Sequence, residues 1–393
     1  MDDADPLAPL RARFVGTNEP VVYLDGNSLG RPLTVTGERM RTFVDDEWGG
    51  RLIRGWDESW FDLPLSLGDE LGRVCLGAAP GQVAVGDSTT VLLYKLMRTA
   101  VAARPGRTEI VIDRDNFPTD RYLAMGVAEE CGLTLRWLDV DTAAGTTVDQ
   151  VAAAVGEQTA LVALSHVSYR SSWVADVPAI TRVAHDAGAL VLWDLCHSAG
   201  AIEVDLEAAG VDVAVGCTYK YLNGGPGAPA FLYVRRSLQA ELRNPIQGWF
   251  GQRDLFAMAQ GYDPAPGIGQ WLTGTTGVVA IAAVEEGVRL TAEAGIGPIR
   301  AKGVALTEFA IQLVDGRLAA LGCSVGSPRD ADRRGDHVAI RHPDAKRLTG
   351  ALIERGVLPD FREPDSIRFG LSPLTTSFTD VARGVAALES LLA

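Results

Sequence analysis

Lys220 lies in Gly216-Cys217-Thr218-Tyr219-Lys220-Tyr221-Leu222-Asn223-Gly224-Gly225-Pro226-Gly227, directly after Val211-Asp212-Val213-Ala214-Val215. The earlier run alternates and β-branches like the end of a buried strand. The Gly/Pro cluster that follows continues neither a helix nor a sheet. A lysine is thus set on a glycine-rich turn where backbone can approach a ligand closely. Two readings of it stand: its ammonium snorkels to solvent, or it forms a Schiff base with pyridoxal phosphate. The second needs partners: an acid for the pyridine nitrogen, a stacking aromatic, donors for the phosphate and an arginine for a substrate carboxylate.

Candidates for each partner exist. Asp194 closes the apolar Ala189-Leu190-Val191-Leu192-Trp193, where a charge calls for a cation, either a protonated pyridine nitrogen or a structural arginine. His197 follows three residues on, placed to orient Asp194 or to stack over the same region. Phe117 precedes Pro118 just past Glu109-Ile110-Val111-Ile112 and either packs or stacks on a planar cofactor. The hydroxyls of Ser88, Thr89 and Thr90 open a helix, first as caps and second as phosphate donors at its positive end. Arg368 interrupts an apolar strand and wants an anion, either a core carboxylate or a substrate α-carboxylate. Asn27 and Ser28 form a turn-rich loop that serves as a strand exit or touches a carboxylate. Trp56 packs, or lines a pocket for an aromatic substrate.

Positioning these groups takes alternating strands and helices. Strands are predicted at 21–24, 83–85, 109–112, 134–140, 160–165, 189–193, 211–215 and 231–234, with helices at 91–102, 148–156 and 177–187 and one capped by Thr119 or Asp120 that runs to Glu130. That order predicts a mostly parallel sheet covered on both faces. Ligand sites in such sheets lie off the carboxyl ends of strands, where Thr89, Phe117, Asp194 and Lys220 all fall. Helical periodicity also covers 34–48 and 57–76, with 52–56 as a loop between them. A helix at 278–293 ends in the stop signal Ala294-Gly295-Ile296-Gly297-Pro298. Beyond it an α+β unit follows: helix 299–321, strands 323–326 and 338–340, helix 345–355, strand 366–370 and helix 379–392. The charged stretch 329–336 reads as a solvated loop.

A formal net charge of −14 disfavours nucleic-acid and anionic-membrane partners. The acidic N-terminus carries no apolar signal region, and no run approaches a membrane span. Five cysteines without CxxC pairing fit reduced thiols, so the expected location is the cytoplasm. The five histidines lack metal-site spacing, and no metal is expected. A regulator would need an added DNA-binding module and a basic face. A silent scaffold would be expected to have lost Lys220, Asp194 or Arg368. The chain therefore reads as an enzyme.

With these pieces placed, the chain resembles the kynureninases, fold-type I pyridoxal-phosphate enzymes of the class V aminotransferase superfamily. The likeness is carried by Tyr23-Leu24-Asp25-Gly26-Asn27-Ser28-Leu29-Gly30, Asn116-Phe117-Pro118-Thr119-Asp120, Trp193-Asp194-Leu195-Cys196-His197-Ser198-Ala199-Gly200, the Lys220 segment, Gly248-Trp249-Phe250-Gly251 and Arg368-Phe369-Gly370-Leu371-Ser372-Pro373. It implies a large cofactor-binding α/β domain over 61–295, a small α+β domain over 296–393 and an N-terminal segment, 1–60, packing on both. It implies that Lys220 is the Schiff-base lysine and moves protons, and that Asp194 pairs with the pyridine N–H, with Asp120 and His197 nearby. Phe117 would stack on the ring, and Thr89, Thr90 and Tyr219 would bind phosphate. Trp249 and Thr275 would come from the partner subunit of a homodimer. Arg368 would hold the α-carboxylate and Trp56 would lie near the substrate ring.

The implied reaction is hydrolysis of the Cβ–Cγ bond of L-kynurenine, 3-hydroxy-L-kynurenine or both, giving the anthranilate and L-alanine. Tyr219 would shuttle a proton. The family often has Asn-Tyr-Lys-Thr-Gly where this chain has Ser168-Tyr169-Arg170-Ser171-Ser172; Gln-Pro where it has Thr276-Gly277; and Tyr where it has Thr375. These changes lie around the substrate pocket. They keep a second reading open, a relative acting on another amino acid as a C–S β-lyase or in a decarboxylation-coupled deamination.

Overall fold

The computed structural model describes residues 1–393. Its strands are β1 (Val22–Tyr23), β2 (Val83–Val85), β3 (Glu109–Asp113), β4 (Thr134–Leu138), β5 (Thr159–Ser165), β6 (Leu190–Asp194), β7 (Val213–Gly216), β8 (Phe231–Val234), β9 (Ser324–Val325), β10 (His337–Arg341), β11 (Val357–Leu358), β12 (Asp360–Arg362) and β13 (Ser366–Gly370). Seven of them form one sheet in the order β2-β8-β7-β6-β5-β3-β4. The run from β7 to β4 is parallel, and β8 is antiparallel to both its neighbours.

The apolar runs of β5, β6 and β7 follow from burial on both faces, because alternate residues feed opposite layers. Leu190 and Leu192 enter one core with Leu93 and Met97, while Val191 and Trp193 enter the other with Leu71, Ile180 and Val284. Each such side chain contributes about 1.5–3 kcal/mol when fully buried. The β-to-α turns leave the same sheet edge, which sets the ends of β2, β3, β6 and β7 around one hollow.

Local chemistry fixes the helices that meet this edge. Ser88, in extended backbone, caps the helix Thr89–Ala102 by accepting from the Val91 N–H. The next helix starts at Pro118, a ring suited to a first turn, and stops at Gly132 in left-handed backbone. Its cap position is Phe117; Thr119 and Asp120 lie inside the first turn, not at the cap.

The second sheet, β12-β13-β10-β9, is antiparallel and packs on the helices Ile296–Leu313, Ala345–Glu354 and Phe378–Leu392. The N-terminal segment touches both sheets: β1 pairs with β11, Leu24 joins the second core, and Gly30 N–H donates to the Tyr219 carbonyl at 2.8 Å.

Several expectations are corrected. The stop after residue 293 holds, the helix Val278–Ala294 ending at Gly295 (φ 77°), but the next helix begins at Ile296 instead of 299 because Pro298 is tolerated in its first turn. Residues 52–56 form helical turns instead of a loop. The end of the charged stretch is buried: Arg334 is 1% exposed, donates to the Pro328 and Arg329 carbonyls and pairs with Glu308, and Asp336 meets Arg300. No helix is long and apolar enough to cross a membrane.

Candidate active site

The edge of the central sheet holds a cavity lined by Thr89, Thr90, Phe117, Asp120, Asp194, His197, Tyr219 and Lys220, together with Ser165, Tyr169 and Cys196. Lys220 is 9% exposed. Its Nζ lies 3.0 Å from His197 Nε2 and 5.8 Å from the centroid of the Tyr219 ring. Burial, then the charges of Lys220 and Arg368, hold His197 well below the usual histidine range, so its ring is neutral and accepts from the ammonium. That fixes the proton on Nδ1, which has no partner.

Asp194 is buried, and its Oδ1 accepts from the Cys196 N–H at 2.7 Å. No arginine pairs with it. Asp120 is also buried; burial first, and the Asp194 charge second, push its carboxyl well above the usual range. Two acids thus converge on a cavity without a fixed cation of their own apart from Lys220. The Phe117 ring is 38% exposed and meets Tyr169 edge-on at 5.4 Å. Thr89 and Thr90 present hydroxyls at a helix N-terminus, where unpaired N–H groups collect negative charge. A carboxylate pair seeking a cation, an orphaned His197 N–H, an open aromatic face and an anion-binding turn fit pyridoxal phosphate. Burial pushes the Tyr219 phenol far up, so it keeps its proton at any ordinary pH.

Arg368 is 1% exposed and already holds an anion. Its Nε and Nη2 meet the Asp360 carboxylate at 2.9 and 2.5 Å, Nη2 also meets Ser28 Oγ at 3.0 Å, and Nη1 donates to the Tyr169 carbonyl. Asn27 is fully buried, with its amide placed between Asp25 (3.2 Å) and Arg368 Nε (3.1 Å). Gly370 makes this approach possible, since a Cβ there would lie 1.8 Å from Asn27 Oδ1. The core-carboxylate reading of Arg368 therefore holds for its Nε–Nη2 edge.

Six expected residues do not line the cavity: Arg368, Asn27 and Ser28, which form the cluster just described, and Trp56, Trp249 and Thr275. Trp56 packs on Phe61 (5.1 Å) and Phe250 (5.7 Å). Trp249 is 44% exposed beside Phe250, and Thr275 lines a separate cleft with Asp87, Pro229 and Trp271. Sequence reading missed Tyr169 as a lining residue, although it sits in the altered 168–172 loop. It also missed Asp360 and Arg362, whose alternation about Phe361 was the available signal.

A family profile described as "Kynureninase C-terminal domain" matches residues 299–388, and one described as "Cys/Met metabolism PLP-dependent enzyme" matches 74–229. The chain is 42% identical to a kynureninase of Pseudomonas fluorescens over 399 residues, covering 100% of this chain and 94% of that one. It is likewise 42% identical to a kynureninase of Burkholderia pseudomallei (strain 1106a) over 397 residues, with the same coverage. Among solved structures, the apo cysteine desulfurase of Thermococcus onnurineus NA1 superposes with a TM-score of 0.84 at 18% identity, over 98% of this chain and 97% of that one. The Escherichia coli cysteine desulfurase CsdA gives 0.84 at 17% identity over 98% of both. At that identity the structural likeness bears on the fold alone. Whole-length identity to curated relatives goes further: this chain belongs to the kynureninase family.

Proposed function

We propose that this protein is a pyridoxal-phosphate-dependent hydrolase that cleaves the Cβ–Cγ bond of L-kynurenine, 3-hydroxy-L-kynurenine or both. The observation that carries the reading is 42% identity across the entire chain to kynureninases, in a chain whose cavity combines Lys220 with Asp194, Phe117 and Thr89. Bound there, the cofactor supplies an aldehyde for amine exchange and a pyridine ring that accepts the Cα electron pair. Asp194 would keep the pyridine nitrogen protonated, Phe117 would cover the ring, and Thr89, Thr90 and Tyr219 would hold the phosphate.

Lys220, once released by the substrate amine, takes the proton from Cα as general base. Neutral His197 orients the lysine by accepting from its Nζ. Water adds to the γ-carbonyl, the Cβ–Cγ bond breaks, the water oxygen stays with the anthranilate carboxyl group, Cβ gains a proton to become the alanine methyl, and Lys220 returns a proton to Cα. Tyr219, which keeps its phenolic proton, donates during this step. The remaining Nη1 hydrogen of Arg368, with Ser28 and Asn27, meets the α-carboxylate.

The working unit in this reading is a homodimer, with Trp249 and Thr275 serving the partner's cavity and Trp56 approaching the substrate ring. Support comes from the exposed Leu52, Ile53, Trp249, Phe256 and Met258, which flank one aromatic cluster through Trp56, Phe61 and Phe250. Light scattering is expected to give twice the chain mass; a monomer with full activity contradicts the shared site. The function is tested by anthranilate fluorescence after mixing cofactor-loaded protein with L-kynurenine, and with 3-hydroxy-L-kynurenine in parallel. Turnover of at least one is expected, with loss of about 10³-fold or more in Lys220→Gln. No turnover of either, with the cofactor bound, overturns the assignment.

A further inference from the structure

Arg362 has no part in the site described above, yet it sits beside the Arg368 anion. It follows Asp360 by two residues on β12, so both side chains leave the same face of that strand, and its guanidinium meets Asp360 Oδ2 at 2.7 Å. Asp360 therefore forms ion pairs with two guanidinium groups at once. On its own, Asp360 would cancel the Arg368 charge and leave little attraction for a second carboxylate. A guanidinium has five N–H groups in a fixed fork. Asp360, Tyr169 and Ser28 together take four of them, so an incoming carboxylate has the second Nη1 hydrogen and gains another only by displacing Ser28.

We infer that Arg362 is a positioning residue for the substrate α-carboxylate: by holding Asp360 it offsets the aspartate's charge, orients the Arg368 fork and leaves Arg368 net positive. The remaining charged group at the cluster is Asp25. Burial and the Asp360 charge push its carboxyl up to about 6, so an added carboxylate drives Asp25 toward its neutral form. The Arg362 guanidinium also lies 5.9 Å from the Tyr169 ring centroid. This ties it to the same loop whose carbonyl steadies Arg368. Its side chain is 32% exposed against 1% for Arg368, so its replacement leaves the second core intact.

The inference rests on the proposed amino-acid substrate, and its test separates the two. With cofactor-loaded enzyme, Arg362→Gln is expected to raise KM for L-kynurenine by about 10-fold or more while kcat stays within about 3-fold, and Arg362→Lys to recover most of the loss. Cofactor absorbance provides a second arm without kynurenine. Arg362→Gln is expected to weaken binding of L-alanine by a similar factor and to leave binding of ethylamine, which lacks the carboxylate, unchanged. Equal weakening of both amines, weakening of neither, or Arg362→Lys as impaired as Arg362→Gln overturns the inference. If kynurenine is not cleaved but the alanine and ethylamine arms diverge as stated, the proposed substrate fails and the role of Arg362 stands.

Discussion

Lys220 works through its neighbours. A neutral His197 accepts its hydrogen bond at 3.0 Å, and the buried Tyr219 phenol beside it keeps its proton. Tyr219→Phe removes that proton and leaves the ring. It is expected to lower kcat by about 10²–10⁴-fold with KM changed far less, as steady-state kinetics on L-kynurenine would read. An unchanged kcat would move the proton donation elsewhere. At this scale the sequence is informative wherever a polar residue ends an apolar run, as Asp194 and Lys220 do, because burial there demands a partner. It is silent on which partner. The anion of Arg368 proves to be Asp360, on the neighbouring antiparallel strand β12, whose three residues are too few to be predicted as a strand although β13 was.

The Lys220 turn is clamped by the N-terminal loop. Gly30 donates its N–H to the Tyr219 carbonyl, and a Cβ at Gly30 would stand 2.2 Å from the Lys220 carbonyl oxygen. Gly30→Ala forces the two segments apart, at a cost of about 1–3 kcal/mol. A lower Tm and weaker cofactor binding, measured by absorbance titration, are expected; a variant that binds the cofactor normally would show that the loop does not position the lysine. Both segments could be recognised as turns from their glycines. Their contact could not, because it joins residues about 190 apart in the chain. The early start of the helix at Ile296 has a related cause. The Gly-Pro cluster marks the break correctly, and packing of Ile299 and Leu306 into separate cores lets the next helix begin at once.

Across the whole molecule, the central sheet was legible because every buried strand is an apolar run bounded by turn residues. The second sheet was only partly so, since β11 and β12 have two and three residues. Its buried charge has a measurable consequence. Burial, opposed by Arg300, pushes the Asp336 carboxyl up to about 7 from an ordinary value of 3.8. Below pH 4 both folded and unfolded chains are protonated there and nothing is lost. As pH rises toward 7 the unfolded chain releases its proton first, so stability falls. Relative to Asp336→Asn, the parent is expected to lose roughly 2–3 kcal/mol between pH 5 and pH 8 in urea unfolding; a pH-independent difference contradicts the shift. The most direct check of the central claim is product accounting on L-kynurenine with the cofactor-loaded enzyme. One alanine for each anthranilate, with neither pyruvate nor ammonia, is the predicted result. Pyruvate and ammonia, or an amine product with carbon dioxide, would contradict hydrolysis at Cβ–Cγ.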